Sequence, residues 1–394
     1  MQIAFTSRRP FHDGPLKSPL PENDQVNMAY MMGADYFSFF TLKKMSLSQL
    51  QAKLQPYDLV FIPLDVRDME TVKLIVAGCN GRYVIYSEGG IADYQMLSPA
   101  DQFTYLQMIR EARAVFLYWE KYIPFFQTIT DNPVFYLPYP FFASFVEPFH
   151  IPFDERPKRL SLPSGLTGGS RNGLCSVLAA RQLLSEDLYS EVDCWLASDN
   201  FRQDAESVYE ILTDTALQVE WPKTGMNLRK WLLKLPIDHR SLMKVRSKLN
   251  ANIIPDAVSE SKTPTIQQGA ITMLRRHNWP AYLKRLGHNR LVVDLNNRPT
   301  VGRNALDCAA LSIPCISTTY SDLQVKLFPQ ITLEDSWNIP QVVAYGRQLQ
   351  DDGFYKEVTQ EAASRLKEFL PDRFKVRFEQ IRAEHPEIWM PRGE

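Results

Sequence analysis

The sequence predicts an α/β protein built from two doubly wound, mostly parallel sheets that face each other across a cleft. Three observations carry this. From Met1 to about Phe153, short β-rich runs alternate with helical patterns, the signature of parallel strands joined by crossover helices. Pro138, Pro140, Pro148, Pro152 and Pro157 then interrupt one short stretch, where the chain cannot hold regular structure. A second alternation starts at Arg159 and runs to about residue 350.

The expected strands of the first unit, residues 1–153, are Gln2–Thr6, Tyr36–Phe40, Leu59–Ile62, Arg82–Tyr86, Ala114–Tyr118 and Val134–Leu137. Each is rich in β-branched or aromatic residues and lies between helical patterns. Asp24–Gly33 reads as a helix ending at a glycine, and Ser46–Leu54 as a second. In the second unit, residues 154–350, strands are expected at Arg159–Leu162, Val192–Leu196, Leu217–Glu220, Arg290–Leu295 and Ile313–Ser317. A helix is expected at Leu174–Leu184, and the chain closes with helical patterns at Gln341–Gln350, Phe354–Phe369 and Arg373–Ala383. Two such sheets leave a cleft between their strand ends, where ligands of this architecture bind.

With 394 residues and 45% hydrophobic side chains, the chain has enough material for two cores. It has no uncharged apolar run of 18 residues, so no membrane span is expected. Met1-Gln2-Ile3-Ala4-Phe5 is quickly followed by arginines, unlike a secretory leader. Five scattered cysteines with no Cys-x-x-Cys point to a reducing compartment and away from zinc. A cytoplasmic protein is expected, with peripheral membrane contact left open. Charge is uneven: Lys223–Arg303 holds 16 Lys/Arg against 4 Asp/Glu, in a chain of net charge −1. Such a block suggests an anionic partner: a sugar nucleotide, a nucleic acid such as DNA, or a membrane surface and its glycans. The alternative is a solvated basic face. Trp231–Leu235 and Leu242–Leu249 form basic, partly amphipathic pieces within it. They suit either a membrane or nucleic-acid contact or a core-facing helix with a wet basic back.

The richest segment is Val292–Leu295 followed by Pro299–Ser317. It reads as a strand, a polar loop through Thr300 and Gly302, a short helix and another strand. The glycine lets backbone N–H groups face a ligand at a helix N-terminus, which suits a diphosphate. Asp307, about one turn in, is placed to accept hydrogen bonds from ribose hydroxyls. Arg303, beside Gly302, could neutralise charge on a departing diphosphate; Arg298 is a weaker candidate. A plain βαβ crossover without a ligand is the competing account.

A second loop, Pro163–Gly173, follows the first strand of the second unit. Gly168 and Gly169 allow main-chain N–H groups close to a phosphate, Ser170 adds a hydroxyl, and Arg171 could pair with phosphate oxygens. The competing account is a glycine-rich turn. In the first unit Tyr83–Tyr86 runs into Ser87-Glu88-Gly89-Gly90-Ile91-Ala92-Asp93. Glu88, or secondarily Asp93, could deprotonate an acceptor hydroxyl, or either could be a turn residue. Ser7-Arg8-Arg9 and Asp65 follow other strands and could line the same cleft.

Leu306-Asp307-Cys308-Ala309-Ala310-Leu311-Ser312-Ile313-Pro314-Cys315-Ile316 resembles the donor-site helix of GT-B glycosyltransferases, Leu-Glu-Ala-x-Ala-x-Gly-x-Pro-Val-Ile. Asp307 stands where that family has the glutamate that binds the donor ribose. The family's earlier glutamate corresponds to Pro299, and its glycine to Ser312. The resemblance implies two Rossmann-like domains, with C-terminal helices (residues 351–394) crossing back to the first. It also implies that the Gly168–Arg171 loop holds the donor phosphates. The Gly-Gly-Ser arrangement is similar, over a few residues, to a loop of phage DNA glucosyltransferases. The implied activity is transfer of a sugar from a nucleotide diphosphate sugar to a hydroxyl of a glycan, a lipid or a modified DNA base. No cofactor is expected, since no Asp-x-Asp metal signature occurs. The alternatives are an epimerase or phosphorylase of the same architecture, or a non-catalytic sugar-nucleotide or nucleic-acid binding protein.

Overall fold

The computed structural model describes residues 1–21, 23–64, 68–87, 94–95, 97–163, 172–196, 201–218, 265–275 and 279–390. Its first sheet contains β1 (Ile3–Ser7), β2 (Gly14–Pro15), β3 (Asp35–Ser38), β4 (Leu59–Pro63), β5 (Tyr83–Ser87), β6 (Val115–Leu117) and β7 (Val134–Tyr136). The order is β2-β3-β1-β4-β5-β6-β7, parallel except for β2. Successive residues serve opposite faces, as strand geometry requires. Ala4, Val60, Ile62 and Ile85 enter one core layer, while Phe5, Leu59, Phe61, Val84 and Tyr86 enter the other.

The second sheet contains β8 (Arg159–Leu162), β9 (Glu191–Leu196), β10 (Thr265–Gln268), β11 (Ile271–Arg275), β12 (Leu291–Val293), β13 (Cys315–Thr318) and β14 (Thr332–Leu333). Its order is β10-β11-β9-β8-β12-β13-β14, with only β10 antiparallel. In each sheet the first long strand is internal and the chain winds to one side before crossing to the other. The direction switches between β1 and β4 in the first sheet, and between β8 and β12 in the second. The expected class, two doubly wound Rossmann-like domains, is what the chain forms.

Two local expectations need correction, and one element had not been expected. The strand expected at Tyr36–Phe40 ends at Ser38, and Phe39–Leu42 is a helical turn. Ser38 stops the strand by accepting from the Phe40 N–H at 3.3 Å, an N-cap that its aromatic neighbours concealed. Of the expected strand Leu217–Glu220, Leu217 and Gln218 are in no strand, and the rest lies outside the described residues. The hairpin of β10 and β11 was unforeseen; it turns through Gly269 at φ 58°, a conformation that favours glycine.

The C-terminal segment divides between the two bodies. In the helix Asp352–Leu366, Tyr355, Val358, Ala362 and Leu366 join the second domain's core. The helices Pro371–Glu384 and Pro386–Trp389 instead deliver Phe374, Phe378, Ile381, Ile388 and Trp389 to the outer core of the first. The return crossing meets the proline-rich linker where the Phe141 N–H donates to the Phe369 carbonyl at 2.7 Å. Arg113, almost fully buried, secures the end by donating to the carbonyls of Ile388 (3.2 Å) and Met390 (2.6 Å).

Candidate active site

The carboxyl ends at the second sheet's switch point belong to β8 and β12. β12 leads into the Asp294–Gly302 loop, the second of the two expected at the site; the Gly168–Arg171 segment that follows β8 in the sequence lies outside the described residues. Buried polar side chains fix the second loop. The Asp294 carboxylate accepts from Asn304 Nδ2 at 2.7 Å, and Thr318 Oγ1 donates to the Asn296 carbonyl at 2.7 Å. The Thr300 N–H donates to the Tyr320 carbonyl at 2.9 Å, and the Leu323 N–H to that of Val301 at 3.3 Å.

Gly302 then caps the helix Arg303–Ala310 with φ 82° and no side-chain capping bond. A Cβ there would lie 1.7 Å from Ser321 Oγ, which itself accepts from the Gln324 N–H at 3.3 Å. Both the backbone conformation and the close approach therefore require glycine. Gly302→Ala is expected to lose about 1–2 kcal/mol for the left-handed conformation alone, and more for displacing Ser321. Urea unfolding measures this; an unchanged midpoint would refute it.

Arg303, at the first position of this helix, is 26% exposed. Its guanidinium lies over the rings of Trp279 and Phe141, 5.0 and 5.3 Å from their centres. It pairs with Asp24 of the first domain and, at 3.4 Å, with Asp307 one turn along its own helix. Asp307 is 1% exposed, and its Oδ2 accepts from Trp279 Nε1 at 3.1 Å. Burial pushes its pKa above the usual carboxylate range, beyond what Arg303 and Trp279 take back. Thr300, Gly302, Arg303 and Asp307 thus lie together on one helix start, and a ribose hydroxyl would have to reach Asp307 past Arg303 and Trp279.

Asp24, Arg303, Tyr118, Tyr139, Phe141 and Phe369 line a pocket between the domains, beside the linker. Asp24 had no motif to mark it; the fold brings it across the cleft. Of the other candidates, Gly168, Gly169, Ser170 and Arg171 lie outside the described residues, as do Glu88, Asp93 and Asp65. Their flanks are defined. Asn172, just after the glycine loop, donates through its N–H to the Leu295 carbonyl and through Nδ2 to that of Ser336, both at 2.9 Å. Ser87 Oγ and Tyr94 Oη, on either side of Glu88 and Asp93, are 2.9 Å apart. Ser7 is buried and donates to Gln25 Oε1, so its hydroxyl serves the first domain's interior.

Within the basic block, Trp231–Leu235 and Leu242–Leu249 lie outside the described residues. Several of its cations that are described have internal work. Arg285 forks onto Asp193 at 2.7 and 2.8 Å, Arg290 donates to the Arg156 carbonyl at 2.9 Å, and Arg303 is engaged as above. The outward surplus is smaller than the count of residues suggests. Among the described residues no group of His, Cys, Asp and Glu is arranged to hold a metal ion, and no helix is long and apolar enough to cross a membrane.

Ser312, in place of the family's glycine, adopts φ 55°. Its carbonyl and that of Leu311 accept from the buried Arg156 at 2.8 and 2.6 Å. A cation at the end of the Arg303–Ala310 helix satisfies its last carbonyls and complements its dipole. The left-handed turn that glycine ordinarily makes is therefore kept by serine, at a cost in backbone strain. Ser312→Gly is expected to raise stability by about 1 kcal/mol, read as a higher midpoint in thermal or urea unfolding; a lower midpoint would refute the strain.

No protein-family model matches the sequence, and no curated protein sequence does. Solved structures do match. HepE of Anabaena, in complex with UDP and glucose, superposes with a TM-score of 0.60 at 10% identity, covering 98% of this chain and 100% of that one. The trehalose-6-phosphate synthase OtsA gives 0.59 at 9% identity, over 96% and 98%. A glycosyltransferase of Rickettsia africae gives 0.57 at 10%, over 91% and 87%. These neighbours are GT-B glycosyltransferases, and the likeness is one of fold: the chain has the two-domain GT-B architecture that its sequence resembles.

Proposed function

We propose that the protein is a glycosyltransferase that moves a sugar from a nucleoside diphosphate donor to a hydroxyl acceptor. The observation that carries this is the helix Arg303–Ala310. It starts at an uncapped glycine beside the second sheet's switch point, and it presents Arg303 toward the opposing domain with Asp307 buried one turn behind it. The N-terminus and Arg303 suit a diphosphate, and Asp307 suits ribose hydroxyls. Arg171 and the Gly168–Ser170 backbone would meet the phosphates from the neighbouring β8 loop. Glu88, or else Asp93, would take the acceptor proton from the first domain in an inverting transfer. UDP is the first nucleotide to test, since HepE, of the same fold, was solved with it. No cofactor is assigned.

The basic block of Lys223–Arg303 fits an anionic acceptor, either DNA or a membrane-surface glycan, handled by a cytoplasmic protein. Contact with DNA would weaken steeply with salt, whereas a membrane contact would appear only with anionic vesicles. Binding to neither at low salt would leave a small acceptor.

The experiment is a panel of sugar nucleotides. The true donor should raise the melting temperature by mass action, and the protein should release nucleoside diphosphate from it once an acceptor is supplied. Stabilisation without transfer to any acceptor class would return the protein to the non-catalytic alternative. No stabilisation by any donor would end the proposal.

A further inference from the structure

Resting on that reading, we propose that Arg303 exchanges partners: it leaves Asp24 of the first domain for the donor diphosphate, so that Asp24 sets donor affinity from across the cleft. Asp24 is the first residue of the helix Asp24–Met31, and Arg303 is the first of the helix Arg303–Ala310. The two helix starts face each other, and their side chains are similarly half-buried, at 27% and 26% exposure. The guanidinium Nη1 binds Asp24, and Nη2 lies 3.5 Å from the Pro21 carbonyl. Both terminal nitrogens of the guanidinium are thereby engaged by the first domain.

The surroundings favour exchange over permanent pairing. Trp279 and Phe141 hold the guanidinium by ring contacts, which persist when its in-plane partner changes. The Arg303 Nε contact to Asp307 at 3.4 Å keeps the arginine on its own helix. Other links across the cleft are independent of it: Lys326 with Glu120 at 2.9 Å, and Lys121 Nζ donating to the Thr319 carbonyl at 2.8 Å. Loss of the Asp24 contact therefore leaves the domains connected. A carboxylate offers one charge to the fork, whereas a diphosphate offers more charge and more acceptor oxygens. A group that competes with the ligand for the same cation lowers affinity by the free energy needed to displace it.

The test is calorimetric titration of UDP, followed by GDP and ADP, into the wild type, Asp24→Asn, Arg303→Gln and the double variant. Asn keeps the size of Asp24 but removes the competing charge. The expected result is that Asp24→Asn binds the diphosphate roughly 5- to 150-fold more tightly, within the usual span of coupling between sites. Arg303→Gln should bind more weakly, and the double variant no more tightly than Arg303→Gln alone. A purely structural role for Asp24 would lower the melting temperature and leave diphosphate affinity unchanged or weaker, and that result overturns the exchange. Equal tightening in the Arg303→Gln background also overturns it, because the gain would then come from general charge relief. If the wild type binds none of the three diphosphates, the glycosyltransferase reading falls and this inference falls with it.

Discussion

Glu88→Gln is expected to lower turnover by roughly 10²–10⁴-fold while donor affinity stays near the wild-type value. The argument starts at β5, whose five residues are all buried and which ends at Ser87 on the carboxyl edge of the first sheet. The segment carrying Glu88 and Asp93 leaves from that edge, and its flanks are drawn together by the Ser87–Tyr94 contact. An inverting transfer needs a carboxylate on the acceptor side, within hydrogen-bond reach of the attacking hydroxyl. Glutamine preserves shape and most hydrogen bonding but cannot take the proton. Single-turnover and steady-state assays separate this chemical defect from a binding defect. If both Glu88→Gln and Asp93→Asn retain near-wild-type transfer, the base lies elsewhere or the reaction retains configuration.

The second large effect concerns Asp307. Asp307→Ala should weaken nucleotide-sugar binding by roughly 1.5–3 kcal/mol, the usual contribution of a hydrogen bond to a charged group. Stability should move differently from affinity. Because burial raises the Asp307 pKa above its unfolded value, the folded state holds this proton more tightly. The stability linked to it is fully present below the ordinary carboxylate range and is lost as pH rises through the raised value. Asp307→Asn, which carries no charge, should escape that loss. Its melting temperature relative to wild type should therefore improve from acid to neutral pH, while its donor affinity falls. Parallel pH-melting curves and calorimetry check both halves. A variant that loses relative stability as pH rises would contradict the buried-charge account.

Much of the scaffold was legible because the signals were local. Arg159–Leu162 was bounded by the proline-rich stretch and the glycine loop, and it forms a strand over those same residues. The Val292–Ile316 segment announced its strand–loop–helix–strand order through Gly302 and Pro314. Errors arose where neighbours competed. Phe39 and Phe40 continued an aromatic run, but the Ser38 cap turned the chain. The hairpin Thr265–Arg275 had only Gly269 to mark its turn, and its first strand, Thr-Ile-Gln-Gln, carries a single apolar residue. The site was legible on one side only. Gly302, Arg303 and Asp307 share one helix, but the partner of Arg303 is Asp24, 279 residues away. Nothing in the periodicity of either segment links them; the return crossing and the linker do. The turn at Ser312 was similarly opaque, because its support, Arg156, comes from the linker.

The most direct test of the central claim is a crystal structure of the protein with bound UDP. The account predicts the diphosphate at the start of the Arg303–Ala310 helix, with Arg303 turned from Asp24 onto its oxygens and the ribose hydroxyls donating to Asp307. A nucleotide bound away from that helix, with the Arg303–Asp24 pair intact and Asp307 still held only by Trp279 and Arg303, would contradict it.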